Sequence, residues 1–127
     1  MLKRISHISI FVPNQDEALA YYTNKLGFEV HTDALWDDFR WLTISPSHKE
    51  FEIVLVKAAN PEQEALIGKQ GAGMPLCVFI TDNCHAEAAR LKANGVQIVK
   101  EPTQEPWGIE CLFQDLYGNL FDMVQKS

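Results

Sequence analysis

Three side chains interrupt apolar, strand-like runs in this chain: His7 within residues 5–12, Glu52 within 51–56 and Asp122 within 120–124. A carboxylate set among aliphatic residues is costly to bury unless it is paired, protonated or bound to a metal. Two such carboxylates with an imidazole make an oxygen- and nitrogen-rich set suited to a divalent ion. Either carboxylate, Glu52 or Asp122, could instead move a proton as a general base. The competing reading turns Glu52 and Asp122 to the solvent face of their strands and leaves His7 as a hydrogen-bonded core residue.

Other side chains offer chemistry of their own. Arg40, beside Trp41 and after Asp37-Asp38, could clamp a substrate carboxylate with its fork, or pair with those aspartates. Trp107, in a Pro106-Trp107-Gly108 loop, could wall a cleft with its ring or cover the core. Cys84 lies near a helix start beside His85, which can lower a thiol pKa, although its place on an apolar stripe favours the core. His31 and His48 form no constellation and are expected at the surface. Gly68, Gly71 and Gly73 surround Lys69 without the Gly-Lys-Ser/Thr order of a phosphate loop, so that stretch reads as a linker.

The elements that would position these residues occur twice. In residues 5–12, Ile8, Ile10 and Val12 fall on one side, and Ile5, His7, Ser9 and Phe11 on the other. The aliphatic row suits a helix above it; the mixed row suits a cleft wall. Asn14 with Glu17 predicts a helix start, Leu19, Tyr22 and Leu26 recur at helical spacing, and Gly27 can end the helix. Strands are expected over 28–31, 39–44 and 51–56, with a turn at Asp37-Asp38. Residues 58–73 read as a linker with a short helix over 61–67. The second half repeats the order: strand 76–81, then a helix opened by Asp82 or Asn83 with Cys84, Ala88 and Leu91 as its stripe and Gly95 at its end. Strands 96–99, 109–114 and 119–125 follow, with Gly118 and Asn119 supplying positive φ in the last turn.

Composition excludes several partners. A chain of 127 residues, 46% hydrophobic, makes one domain with a real core. A formal charge of −6 leaves no basic surplus for a nucleic-acid backbone or an anionic membrane. No apolar run approaches the roughly 18 residues of a membrane span. The run after Met1-Leu-Lys-Arg4 is broken by His7 and Ser9 and lacks a cleavage signal, so no signal peptide is expected. Three cysteines without a Cys-x-x-Cys spacing suit a reducing, cytoplasmic setting.

The duplicated β-α-β-β-β order resembles the vicinal oxygen chelate superfamily, which includes glyoxalases, bleomycin-resistance proteins, methylmalonyl-CoA epimerases and extradiol dioxygenases. The matching stretches are Ile5-Ser-His7-Ile-Ser-Ile, Ala20-Tyr-Tyr22 with Lys25-Leu-Gly27-Phe28, Pro106-Trp-Gly108, and Phe113-x-Asp115-x-x-Gly118-Asn119. The resemblance implies an α+β fold of two βαβββ modules, about 1–57 and 74–127, forming a curved mixed sheet around a cleft. It implies four metal-ligand positions, which fall on His7, Glu52, the Pro75-Leu76 pair and Asp122. Neither Pro75 nor Leu76 can bind a metal, and Asp122 is a methylene shorter than the glutamate of the family pattern. The second histidine that extradiol dioxygenases use is gone, which disfavours that reaction.

Two functions follow from the resemblance. The first is a glyoxalase-like lyase or isomerase acting on a substrate with adjacent oxygens. Its divalent metal (Mn, Ni, Zn or Fe) would sit on His7, Glu52 and Asp122, with Arg40, Trp41 and Trp107 on the substrate. The second is a metal-free antibiotic-binding protein of bleomycin-resistance type, whose aromatic, acidic cleft suits a cationic aromatic ligand. Either is expected to be a homodimer, because open sheets leave strand edges that a second copy can cover.

Overall fold

The computed structural model describes residues 1–47 and 51–127, and the chain divides into two units, Met1–Ile67 and Gly68–Ser127. The first unit runs β1 (His7–Val12), α1 (Gln15–Asn24), β2 (Glu29–Trp36), β3 (Phe39–Ser45), β4 (Glu52–Lys57) and α2 (Pro61–Ala65). Its four-stranded sheet has the order β1-β4-β3-β2, with β1 parallel to β4 and the other pairs antiparallel. The second unit runs β5 (Val78–Ile80), α3 (Cys84–Ala93), β6 (Ile98–Glu105), β7 (Gly108–Gln114) and β8 (Leu120–Lys126). Its sheet repeats the plan as β5-β8-β7-β6, again with one parallel pair. The fold is α+β, two mixed sheets of matching topology, as the sequence repeat predicts.

Helix caps form where the sequence places them. Asn14 accepts from the Glu17 amide at 2.9 Å, and Asn83 rather than Asp82 accepts from the Ala86 amide at 3.0 Å. Each cap satisfies one of the amides that a helix start leaves without an internal partner. The buried stripe of α1 is Ala18 and Tyr22, continued by Leu26, so Ala18 takes the place expected of the half-buried Leu19. On α3 the stripe is Cys84, Ala88 and Leu91, as expected.

Alternation in β1 is as predicted from Ile10 onward, while Ile8, expected in the inward row, is half-buried. Ile10 and Val12 are fully buried with Leu42, Ile44, Ile53 and Leu55, whereas His7 and Phe11 are half-buried and Ser9 is exposed. Side chains of α1 reach this aliphatic layer: Gln15 Nε2 donates to the Leu55 carbonyl at 2.8 Å and to the Arg40 carbonyl at 3.1 Å. The second core centres on Phe79, Phe113 and Phe121, with ring centroids 5.4–6.1 Å apart.

Two strands outrun their expected lengths. β2 continues past His31 to Trp36 because the pairing with β3 shifts between Val30 and Thr32. An irregularity of this kind breaks the period of two without ending the strand. β6 extends to Glu105 through Pro102, with register shifts on either side of Lys100. As an edge strand it tolerates a proline that a central strand would not. The final turn is corrected as well: Gly118 alone of the expected pair has positive φ, +95°. Asn119 is buried instead, its side-chain amide donating to Asp115 at 2.9 Å.

Candidate functional site

In the first sheet His7 lies directly opposite Glu52, and Thr43 opposite Val54. Opposed residues, and every second residue along a strand, share a face. His7, Glu52, Thr43 and Trp41 therefore stand together on the side away from the aliphatic layer. A hydrogen-bonded chain runs through them. Thr43 Oγ1 donates to Glu52 Oε1 at 2.7 Å, Glu52 Oε2 lies 3.3 Å from His7 Nε2, and His7 Nδ1 lies 2.8 Å from Ser6 Oγ. A carboxylate accepts, so the hydrogen of the His7–Glu52 contact comes from Nε2.

Aromatic rings surround this chain. The His7 and Trp41 centroids are 5.7 Å apart, and Trp41 is 6.2 Å from Trp36 and 6.5 Å from Phe39. Trp36 is 60% exposed and Phe39 is exposed as well, although large aromatic rings usually bury themselves. The three rings on β2 and β3 form an open apolar floor beside a polar imidazole.

Arg40 is not on this floor. It follows the opposite alternation to Trp41, and its guanidinium donates to both Asp33 oxygens at 2.8 and 2.9 Å and to Asp16 of α1 at 2.7 Å. The pairing with Asp37 or Asp38 gives way to these partners, because Asp37 and Asp38 form the turn joining Trp36 to Phe39. Arg40 thus ties helix to sheet on the far face from Trp41.

The second sheet holds a different cluster. Asp122 of β8 lies opposite Leu112, and Glu110 opposite Val124, so the two acids share a face one diagonal step apart. The two acids influence each other's titration, and Trp107 lies beside Glu110. Lys100 Nζ is divided between Glu105 and Glu110, 2.9 Å from each. Trp107 sits in the tight turn between β6 and β7, and Gly108 behind it approaches β8 so closely that an added Cβ would lie 2.2 Å from the Gln125 carbonyl oxygen. That close approach is why the Pro-Trp-Gly loop ends in glycine.

Burial governs how the two acids titrate. Asp122 is 9% exposed, and burial, followed by the Glu110 hydrogen bond and charge, pushes its carboxyl up to about 6. Glu110 is held below the usual range, mainly by the Lys100 hydrogen bond and next by that from Asp122. Both shifts make Asp122 the acid that takes up a proton first. Asp122 Oδ1 is buried without a hydrogen-bond partner among the described residues.

Over residues 4–123 the chain matches the family described as the Glyoxalase/Bleomycin resistance protein/Dioxygenase superfamily. The chain belongs to this superfamily. It is 34% identical to an uncharacterized protein of Shewanella frigidimarina (strain NCIMB 400), covering 100% of this chain and 96% of that one. Among solved structures it is similar to UcmS2, at 38% identity and TM-score 0.88 over 99% of this chain and 100% of the other. It is also similar to TnmS3, an antibiotic binding protein from Streptomyces sp. CB03234, at 28% identity and TM-score 0.84 over 99% and 98% of the two chains.

The superfamily's metal pattern can now be tested on geometry. The residue opposite Asp122 is Val78, as His7 is opposite Glu52. The register thus moves the fourth position from the expected Pro75-Leu76 pair to another residue that cannot bind a metal. Within each unit the strong donors come in pairs, His7 with Glu52 and Glu110 with Asp122. Among the described residues, neither unit offers three or more His, Cys, Asp or Glu side chains grouped to hold an ion. Within either unit alone the donors fall short of the set implied by the resemblance, whose His7 and Glu52 belong to one unit and Asp122 to the other.

Other expectations resolve plainly. Cys84 is buried, and burial first, then the charges of Asp122 and Glu110, raises its thiol pKa. Burial pushes Cys77 and Cys111 up to about 12, so no thiolate is poised to react. His31 is half-buried, 2.6 Å from Ser45 Oγ, rather than free at the surface; His48 lies outside the described residues. No described helix is long and apolar enough to cross a membrane. Sequence reading missed Ser6, Thr43, Lys100 and Glu110. Glu110 carried a signal, since it interrupts residues 109–113 much as Glu52 interrupts its own strand. Thr43 carried none.

Proposed function

We propose that this chain is a metal-free small-molecule binding protein whose first sheet receives a planar aromatic ligand. The supporting observation is the exposed floor of Trp36, Phe39 and Trp41 beside a His7 ring oriented by Glu52 and Ser6. Stacking supplies affinity, and the imidazole edge fixes orientation through one polar contact, the usual economy of a small-molecule site. The antibiotic binding of the similar protein TnmS3 supports the same reading. Three free cysteines suit a reducing, cytoplasmic setting.

A second reading is a lyase or isomerase in which Glu52 or Asp122 moves a proton with help from a divalent ion. The matching placement of these two acids on β4 and β8 favours it. The test is titration with 2-naphthol, followed by the indole NMR signals of Trp36 and Trp41 and by chromatography of the probe. Saturable shifts with the probe recovered intact, and at least tenfold weaker binding in Trp41→Ala, are expected. Unmoved indole signals, or chemical conversion of the probe, would overturn the binding reading.

A further inference from the structure

The acid cluster of the second sheet is built for a guest that the first sheet's floor does not explain. The Lys100 ammonium is already divided between Glu105 and Glu110, and Asp122 stands one diagonal step from Glu110 on the same face. Asp122 has no cation of its own, and its buried Oδ1 has no donor among the described residues. A buried acceptor in that state favours a donor brought from outside. The neighbours describe the rest of the guest. Val78, exposed and directly opposite Asp122, and Ile80 two residues on present an apolar row on the same face. Trp107, 53% exposed and beside Glu110, offers a ring face that attracts cations.

We infer that the Asp122–Glu110 pair, with Trp107 and the Val78–Ile80 row, is a binding site for the primary ammonium of a hydrophobic amine. The ammonium donates to Asp122 Oδ1 and to Glu110, and its hydrocarbon lies on Val78 and Ile80. An organic ammonium carries its own three donors and needs no third ligand from the protein. A divalent ion needs more donors than this unit groups together. The inference deepens the binding reading and rests on it, but it is tested on a different tryptophan.

The test is titration of the whole chain at neutral pH with 2-phenylethylammonium and, separately, with 2-phenylethanol, following the Trp107 indole NMR signal. The expected result is a saturable Trp107 shift with the ammonium, binding at least tenfold weaker for the alcohol, and loss of ammonium binding in Asp122→Asn. Because Asp122 is buried, Val78→Lys is the second variant. Its tethered ammonium opposite Asp122 should block the probe and raise the melting temperature. Equal affinity for the two probes, an unmoved Trp107 signal, or undiminished binding in Val78→Lys would overturn the proposal. So would a magnesium ion that reproduces the Trp107 shift at the same concentration. Failure at Trp36 and Trp41 with 2-naphthol would instead count against the aromatic floor alone.

Discussion

Thr43 donates its hydroxyl to Glu52 Oε1 at 2.7 Å, which leaves Oε2 to face His7 at 3.3 Å. One neutral hydroxyl thereby sets both the carboxylate's orientation and the nitrogen from which the imidazole donates. Thr43→Val keeps the shape and removes the donor. It should cost about 1–2 kcal/mol in urea unfolding and weaken 2-naphthol severalfold by calorimetry, whereas Thr43→Ser should restore both. Unchanged affinity in Thr43→Val would remove His7 orientation from the binding account.

Arg40 should behave as a structural residue. Its partners Asp33 and Asp16 lie on the face away from Trp41, and partly exposed ion pairs of this kind contribute roughly 0.5–1 kcal/mol. Arg40→Leu should lower the melting temperature by a few degrees and leave 2-naphthol affinity within about twofold. A tenfold loss of affinity without loss of stability would return Arg40 to the ligand.

Asp122 makes stability depend on pH. Its carboxyl is raised in the fold from the ordinary 3.8 to about 6, so its contribution is fully present below 3.8 and is lost as pH rises through about 6. Glu110 is lowered from 4.5, so its contribution has the opposite sign and is lost only as pH falls below that value. Between pH 4.5 and 7 the Asp122 effect dominates. The melting temperature of Asp122→Asn relative to the parent protein should therefore rise with pH across that window. A difference that is flat or falls from pH 4.5 to 7 would contradict the raised carboxyl of buried Asp122.

Metal removal separates the two functional readings. Without a resident ion, melting curves should coincide in EDTA and in excess manganese, nickel, zinc or iron, since only an ion that binds the folded state shifts the midpoint. A rise of several degrees that Glu52→Gln abolishes would favour the lyase or isomerase reading. Val78→His, which places an imidazole opposite Asp122 as His7 stands opposite Glu52, should create metal-dependent stabilisation that the parent lacks.

Each sheet ends in unpaired edges, at β1 and β2 in one and at β5 and β6 in the other. Such edges are commonly covered by a second copy. Sedimentation at micromolar concentration should give a species near twice 14.4 kDa. A single species at the monomer mass would refute the dimer.

What the sequence alone determined is local or repeated. Helix starts at Asn14 and Asn83 follow from side-chain oxygens that satisfy their own helix amides. The inward row of Ile10 and Val12 follows from the two-residue period of a strand, and the duplicated element order shows as the same signals occurring twice. Only the tertiary structure decided which residues meet across strands. Irregular pairing in β2 and β6 resets register without leaving a pattern along the chain, and the pairing of β5 with β8 puts Val78, not Leu76, opposite Asp122. Arg40 found Asp16 through the packing of α1, which no spacing in sequence encodes. Glu110 and Asp122 come from strands joined by a turn, and the raised carboxyl of Asp122 depends first on burial. Burial is a sum over neighbours far apart in the chain, and that sum exists only once the sheet has formed.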